Sequence, residues 1–269
     1  MDNKFDILII GGGPAGISAA LTAINRGKTV GVITNPPESS KLYLAESVTN
    51  YPGISGSGKD IVNAMFSQLE HSGAQVIYGR ALSVMPIGKT VGVAVGNDFY
   101  EAGAVIVAAG ISRKPVCQGE TEFLGRGVSY CATCDGMLYR GKTVALIGGS
   151  EEARHDAEFL RGIGCNVIEL PGAARYEIIG TQRAEAVVSG GETYPVDGVF
   201  IIKDTVSVAN LMSGLERSGA AISVGRGMET SIPGVFAAGD CTGKPYQAAK
   251  AVGEGNIAAL SACEYIDKL

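Results

Sequence analysis

Apolar residues along this chain come in short blocks, each closed by glycine. Lys4 to Ile10 alternates little and stops at Gly11, which is the pattern of a strand buried on both faces of a parallel sheet. Gly16 to Arg26 reads as a helix ended by Gly27, and Thr29 to Thr34 reads as a second strand. The chain therefore opens with a βαβ unit. A polar loop rich in Pro and Ser runs from Asn35 to Lys41. Asp60 to Gly73 reads as a helix, with Asp60 as N-cap and Gly73 as C-cap. Short strands fill Val76 to Val95, and Ala104 to Ala109 forms another buried strand ending at Gly110. From residue 111 the pattern is irregular until Lys142 to Ile147 starts a second strand–turn–helix–strand unit. Its helix spans Glu151 to Gly162 and its strand Asn166 to Leu170. Asp197 to Ile202 and Val235 to Ala238 are later apolar strands, and Gln247 to Tyr265 is a closing helix. Two βαβ starts predict an α/β protein with two nucleotide-binding-type domains.

Composition narrows the function classes. The 269 residues are 46% apolar and 18% charged, as in an ordinary soluble protein, and they suffice for one large or two medium domains. The 39 glycines suit the tight strand-to-helix turns that nucleotide-binding folds need. A net charge of −5 gives no bulk field for nucleic acid or an anionic membrane, so neither is an expected partner. The first apolar run is too short for a signal peptide, and no stretch approaches the roughly 20 apolar residues of a membrane span. A cytoplasmic location is expected. Six cysteines do not make a disulfide scaffold, and only Cys131 and Cys134 are close in sequence.

Gly11-x-Gly13-x-x-Gly16 lies between a predicted strand and a predicted helix. Gly11 permits the tight turn, Gly13 lets the backbone approach a pyrophosphate, and Gly16 lets the helix pack on the strand. The helix-start amides then face the phosphate charge. With Pro14 and Ala15, these residues form the candidate dinucleotide cradle. An acidic residue at the end of the second strand would hold a ribose; Thr34-Asn35 stands there, so no ribose contact is assigned. Near the other end, an apolar strand runs into Gly239-Asp240, which suits a carboxylate beside the ribityl chain of FAD. Taken bare, Asp240 fits a helix N-cap equally well.

Cys131-Ala-Thr-Cys134-Asp135 is the most informative stretch. Two intervening residues allow both sulfurs within disulfide reach, and helix-start amides favour a thiolate. Asp135, directly after the pair, is placed to hold or deliver a proton. Zinc would need two further ligands; His71 and His155 are far apart and the other cysteines isolated, so redox chemistry is expected and no metal. Cys117, Cys165 and Cys263 read as buried small hydrophobes. Cys241, beside Asp240, reads as core or as a flavin neighbour.

Together these features resemble the low-molecular-weight thioredoxin reductase family. Its pattern is an N-terminal FAD fingerprint, CATCD in an inserted second domain, and a C-terminal Gly-Asp strand and helix. The matching segments here are Gly11–Gly16, Cys131–Asp135 and Gly234–Ala259, so the resemblance covers nearly the whole chain. It implies two Rossmann-like domains of the FAD/NAD-linked reductase type, the second inserted in the first. Residues 1–110 and 205–269 would bind FAD, and residues 111–204 would carry the redox disulfide. It implies that Asn50, in Thr49-Asn50-Tyr51-Pro52-Gly53, lies near the flavin. Gly110, Gly239, Asp240, Gln247 and Ala248 would complete the FAD site. Cys134 would face the flavin and Cys131 would attack the disulfide of thioredoxin, in a homodimeric protein.

The central segment departs from the usual member. Its turn reads Gly148-Gly149-Ser150-Glu151-Glu152-Ala153, where a nucleotide fingerprint has Gly-x-Gly-x-x-Ala/Gly. Losing the second glycine hinders close backbone approach, and two carboxylates repel a pyrophosphate. The next strand ends Ile168-Glu169-Leu170-Pro171-Gly172, without a basic cluster for a 2′-phosphate. Only 26 residues separate Leu170 from Asp197, so the domain looks abbreviated. This pattern resembles the ferredoxin-dependent flavin thioredoxin reductases of anaerobic bacteria, which lack a working NADPH site. Lys203-Asp204, Met228 to Thr230 and Gly239 to Gln247 are similar to that subgroup. The resemblance implies reduced ferredoxin as the donor and no functional NADPH site. Two alternatives stay open: an NADH or NADPH site of divergent sequence, with Glu169 on a ribose hydroxyl, and a flavin redox sensor that does not turn over.

Overall fold

The structure, a computed structural model, describes residues 3–111, 115–172, 174–202 and 211–269. The side chains of Cys134 and Glu152 lie outside that description, as do Lys203 and Asp204. The chain divides into two units, one of residues 1–112 and 206–269 and one of residues 113–205.

The first unit begins with β1 (Lys4–Ile10), α1 (Pro14–Asn25) and β2 (Val30–Thr34). Then come α2 (Gly58–His71), β3 (Gln75–Tyr78), β4 (Ala81–Ile87), β5 (Thr90–Val95) and β6 (Asp98–Val107). In the second unit follow α3 (Glu120–Phe123), β7 (Val128–Ser129), α4 (Ala132–Asp135), β8 (Thr143–Ile147), α5 (Glu151–Gly162) and β9 (Asn166–Leu170). That unit ends with β10 (Glu177–Gly180), β11 (Ala184–Ser189), β12 (Glu192–Pro195) and β13 (Gly198–Ile201). The chain then returns to the first unit with β14 (Arg217–Ser218), β15 (Ala221–Ile222), β16 (Val235–Ala237) and α6 (Ala248–Ile266).

In the first unit the strand order is β3-β2-β1-β6-β5-β4, with β16 also paired to β6. β3, β2, β1, β6 and β16 are parallel, and β4 and β5 add an antiparallel meander. The lack of alternation in β1 has a direct cause. Ile7 and Ile9 pack on one face with α1 and α6, while Leu8 and Ile10 pack on the other with β5 and β16, all at most 4% exposed. Burial of each such side chain contributes about 1.5–3 kcal/mol. β6 starts earlier than the apolar run from Ala104, because Asp98 to Ala102 pair across a hairpin with β5.

Helix α2 also differs from the sequence expectation. Its N-cap is Ser57, not Asp60: Ser57 Oγ accepts from Asp60 N at 3.1 Å and donates to Asp60 Oδ2 at 2.6 Å. The glycine at 58 looks like a breaker, yet it is what lets the helix start there, since a Cβ would stand 1.7 Å from Leu42 O. At the other end Ser72 is the cap and Gly73, at φ +89°, takes the left-handed position beyond it.

The second unit holds a parallel sheet in the order β7-β13-β8-β9 and a separate antiparallel sheet β10-β11-β12. Ala145 and Ile147 of β8 face one core and Val144 and Leu146 the other. The short stretch between Leu170 and Asp197 thus carries a three-stranded antiparallel sheet. The irregular stretch before β8 contains α3, β7 and α4, each at most four residues long.

Candidate functional site

In the first unit the candidate residues gather at the carboxyl ends of the parallel strands. Gly11 follows β1, Thr34 ends β2, Gly110 lies just past β6 and Gly239 just past β16. This edge is where open α/β sheets bind ligands. Gly11 has φ +115°, and a Cβ there would stand 2.2 Å from Ala108 O, so only glycine fits. A Cβ on Gly16 would stand 1.8 Å from Gly11 O; its absence lets α1 close onto the turn. Gly13 is different: among the described residues nothing lies within 4 Å of a Cβ there. It is the N-cap of α1 without any side-chain cap, followed by Pro14 and with no acidic residue in the first turn. The helix-start amides of α1 thus have no side-chain cap, the condition for holding a pyrophosphate.

Thr34 takes the place of the missing acid in a structural way. It is 8% exposed, its Oγ1 accepts from Gly12 N at 3.0 Å and it donates to Asn35 O at 2.9 Å. A Cβ on Gly12 would stand 2.5 Å from that Oγ1. The threonine therefore shapes the glycine turn.

Asp240 does not cap α6. It lies in the first turn of a short 3-10 segment, Gly239–Thr242, while the N-cap of α6 is the Gln247 backbone, with Ala248 as the first helical residue. That segment is braced by two residues the sequence reading passed over. Lys250 Nζ donates to Gly239 O at 3.0 Å, Thr242 Oγ1 at 2.9 Å and Gly243 O at 2.6 Å. Glu254 Oε2 accepts from Gly239 N and Thr242 Oγ1, both at 2.9 Å, and pairs with Lys250 at 3.1 Å. Both side chains are 17% exposed, and their remaining hydrogen bonds offset the cost of burying the pair. In the sequence the two are an ordinary i,i+4 surface pair; only the Gly-Asp loop turning back onto α6 reveals them. The other side of α6 packs on α1 through Gly255, where a Cβ would meet Ala15 O at 2.1 Å. Gly239, at φ +84°, also approaches Ala15, with 2.9 Å between the two Cβ positions. Asn50 is exposed on a loop pinned by the Val48–Gly56 bridge.

Cys241 is core: it is 2% exposed, its thiol donates toward Val107 O and Ala238 O, and burial pushes its pKa up to about 12. Cys117, Cys165 and Cys263 are likewise buried and outside any disulfide. Cys131 is disulfide-bonded. It is the N-cap of α4, whose four residues Ala132–Asp135 hold Cys134. Ser129 Oγ accepts from Cys131 N at 3.1 Å and donates to Asp135 Oδ2 at 2.6 Å. Among the described residues no group of three or more His, Cys, Asp or Glu gathers as a metal site would require.

The second glycine turn is built otherwise. A Cβ on Gly148 would meet Ala153 Cβ and Ile202 O, both at 2.7 Å. Ser150 is the N-cap of α5, and its Oγ accepts from Ala153 N at 3.1 Å. A Cβ on Gly172 would stand 3.3 Å from Gly149 N, so the turn after β9 lies against the turn after β8. Glu169 pairs with Arg161.

The family model for pyridine nucleotide-disulphide oxidoreductases matches residues 5–175 and 171–255. The chain belongs to this family. Thioredoxin reductase of Treponema pallidum is 32% identical over 100% of this chain and 99% of its own length. That alignment runs over 308 positions against 269 residues here, so at least 39 positions carry no residue of this chain. Among solved structures, thioredoxin reductase from Streptococcus pyogenes has a TM-score of 0.89 at 28% identity, with 100% of both chains covered. A ferredoxin-flavin thioredoxin reductase from Clostridium acetobutylicum has a TM-score of 0.63 at 38% identity, covering 100% of this chain and 99% of that one. Two Rossmann-like sheets are the shared architecture. Family membership implies FAD, and the β1–α1 turn fits it: a cradle that excludes side chains at Gly11, Gly12 and Gly16, with open space before Gly13.

Proposed function

We propose that this chain is a flavin-dependent thioredoxin reductase that takes electrons from reduced ferredoxin. Residues 1–110 with 205–269 bind FAD, and residues 111–204 carry the Cys131–Cys134 disulfide that hands electrons to thioredoxin. One observation carries the donor assignment: Ser150 turns its hydroxyl back onto Ala153 N and takes a helix-start amide that a pyrophosphate would use. The approach of Gly172 to Gly149 supports it, as do the carboxylates following Ser150. The 38% identity to a ferredoxin-flavin enzyme over the full chain points the same way. Glu169, the one candidate for a ribose hydroxyl, is already engaged by Arg161.

FAD, when bound at the Gly11–Gly16 cradle, supplies the electron pair that opens the disulfide. The protein's own groups then act in sequence. Cys131 attacks the thioredoxin disulfide as a thiolate and forms a mixed disulfide; Cys134 displaces it and closes the Cys131–Cys134 bond again. Asp135 carries the proton that each thiol gains or loses. The direction is favourable. Plant-type ferredoxins lie near about −400 mV and thioredoxin near about −270 mV, roughly 6 kcal/mol downhill for two electrons.

The competing donor is NADH or NADPH, which the family's pyridine-nucleotide description favours. Anaerobic bleaching of the flavin, measured side by side with NADPH, NADH and reduced ferredoxin, separates the two. Fast bleaching by ferredoxin alone is the expected outcome; bleaching by either nicotinamide at turnover rates sinks the ferredoxin assignment. Rapid reduction of thioredoxin by the photoreduced protein rules out a sensor without turnover. A Cys134→Ser variant that still reduces thioredoxin at full rate would contradict the disulfide route.

A further inference from the structure

Two residues before Cys131 the chain buries a hydroxyl. Ser129 is 6% exposed and ends β7, where it pairs in parallel register with Phe200 of β13. Phe200 is fully buried, so the sheet fixes the serine backbone. Its side chain spans the redox segment: Oγ accepts from Cys131 N at 3.1 Å and donates to Asp135 Oδ2 at 2.6 Å. A hydroxyl has one proton and two lone pairs, so both ends are used at once. The 2.6 Å separation is that of a charge-assisted O–H···O⁻ bond. The neighbouring residue is held as well: Tyr130 donates to Glu120 Oε1 at 2.8 Å, and Glu120, 1% exposed, accepts from Val116 N and Cys117 N. The chain leading into Cys131 is thus held at both Ser129 and Tyr130, and the Ser129 hydroxyl joins the Cys131 backbone to the Asp135 carboxylate.

We propose that Ser129 is a positioning residue for thiol–disulfide exchange at Cys131, acting by fixing the Asp135 carboxylate against the Cys131 backbone. This rests on the roles given above to Cys131, Cys134 and Asp135. In the exchange, the Cys131 sulfur bonds to one thioredoxin sulfur and the thioredoxin disulfide breaks. The displaced thioredoxin thiolate takes a proton. Cys134 then loses its proton, bonds to Cys131 and releases the second thioredoxin thiolate, which is protonated in turn. Two electrons and two protons pass from the dithiol to thioredoxin. Each proton transfer needs the carboxylate in reach and in one orientation, and the Ser129 bond holds it there.

The test uses photoreduced holoprotein in a single turnover with thioredoxin, which does not depend on the electron donor. Ser129→Ala is expected to lower the saturating rate about tenfold, the usual weight of one hydrogen bond to a charged group. The thioredoxin concentration giving half that rate stays unchanged, and so does the flavin spectrum. Ser129→Thr keeps most of the rate while Ser129→Val, the same shape without the hydroxyl, behaves as the alanine variant does. In an Asp135→Asn background, Ser129→Ala costs nothing further. A full loss added on top of Asp135→Asn, or a valine variant as fast as threonine, overturns the proposal and leaves the reductase reading standing. Asp135→Asn at the wild-type rate overturns the role of Asp135, and the proposal with it.

Discussion

The molecule contains two strand–turn–helix units of the same plan, and they treat the helix start in opposite ways. After β1, the turn has glycine at 11, 12, 13 and 16; Gly13 opens onto free space and no side chain caps α1. After β8, the turn has Gly148 and Gly149, but Ser150 stands at the helix start and caps α5 with its own hydroxyl. The first arrangement leaves amides for a ligand. The second satisfies one internally, and the turn holding Gly172 lies against Gly149. A capped helix is the more stable by itself, by about 1 kcal/mol. The lesson is that the same backbone plan serves binding or stability according to one side chain at the N-cap.

The largest effect should come from closing the first turn. Gly16→Val puts side-chain atoms where Gly11 O lies 1.8 Å from a Cβ, so the purified protein should lose its flavin and melt earlier. Flavin absorbance per chain and a thermal melt measure both. At the matching position of the second turn, Ala153→Gly should leave flavin content intact and cost about 1 kcal/mol of helix stability.

Gly13→Asp sharpens the contrast without a clash, because among the described residues nothing lies within 4 Å of its Cβ. The fold should persist while a carboxylate meets the pyrophosphate, weakening FAD binding by at least about tenfold in reconstitution titrations. Ser150→Asp, also an N-cap former, should leave flavin affinity unchanged.

Ser150→Ala should cost about 1 kcal/mol in urea unfolding and Ser150→Gly only a few tenths. Neither should create nicotinamide-driven flavin bleaching, since Glu151 and Glu152 remain.

The smallest effect concerns thiols. Burial raises the Cys241 pKa to about 12 from the ordinary value of 9.0. The folded state then holds this proton more tightly than the unfolded chain does. Its stabilising contribution is whole below pH 9 and falls as the pH rises toward about 12. Native protein should therefore resist maleimide at Cys241 near neutral pH, while reduced Cys131 reacts; mass spectrometry of labelled peptides reads the difference.

Local chemistry was legible in the sequence. The apolar runs of β1 and β8 gave strands because each is buried on both faces, and the Glu151–Gly162 helix followed from its own period. The glycine spacing at 11, 13 and 16 and the CATCD stretch named the two candidate sites. Other features were not legible. Ser57 and Asp60 are both good caps, and what favours Ser57 is the packing of Leu42 O onto Gly58, a contact from outside the helix. Lys250 and Glu254 gave no signal, since the loop they brace, Gly239–Gly243, reaches them through the turn before α6. Ser129 carried no signal at all, because a serine two residues before a cysteine has no meaning until a short helix folds Asp135 back over it.

What the sequence alone determined is the set of local constraints: where a strand is buried on both faces, where only glycine can turn, where two cysteines sit close enough to pair. These depend on residues a few positions apart and on single side-chain properties. What only the tertiary structure decided is which of these constraints face a ligand. Gly11 fits against Ala108, Gly12 against Thr34 and Gly239 against Ala15, contacts made by distant segments in the register of the parallel sheet. Register is a property of the whole sheet, and so the same glycine pattern becomes an open cradle after β1 and a capped, covered turn after β8.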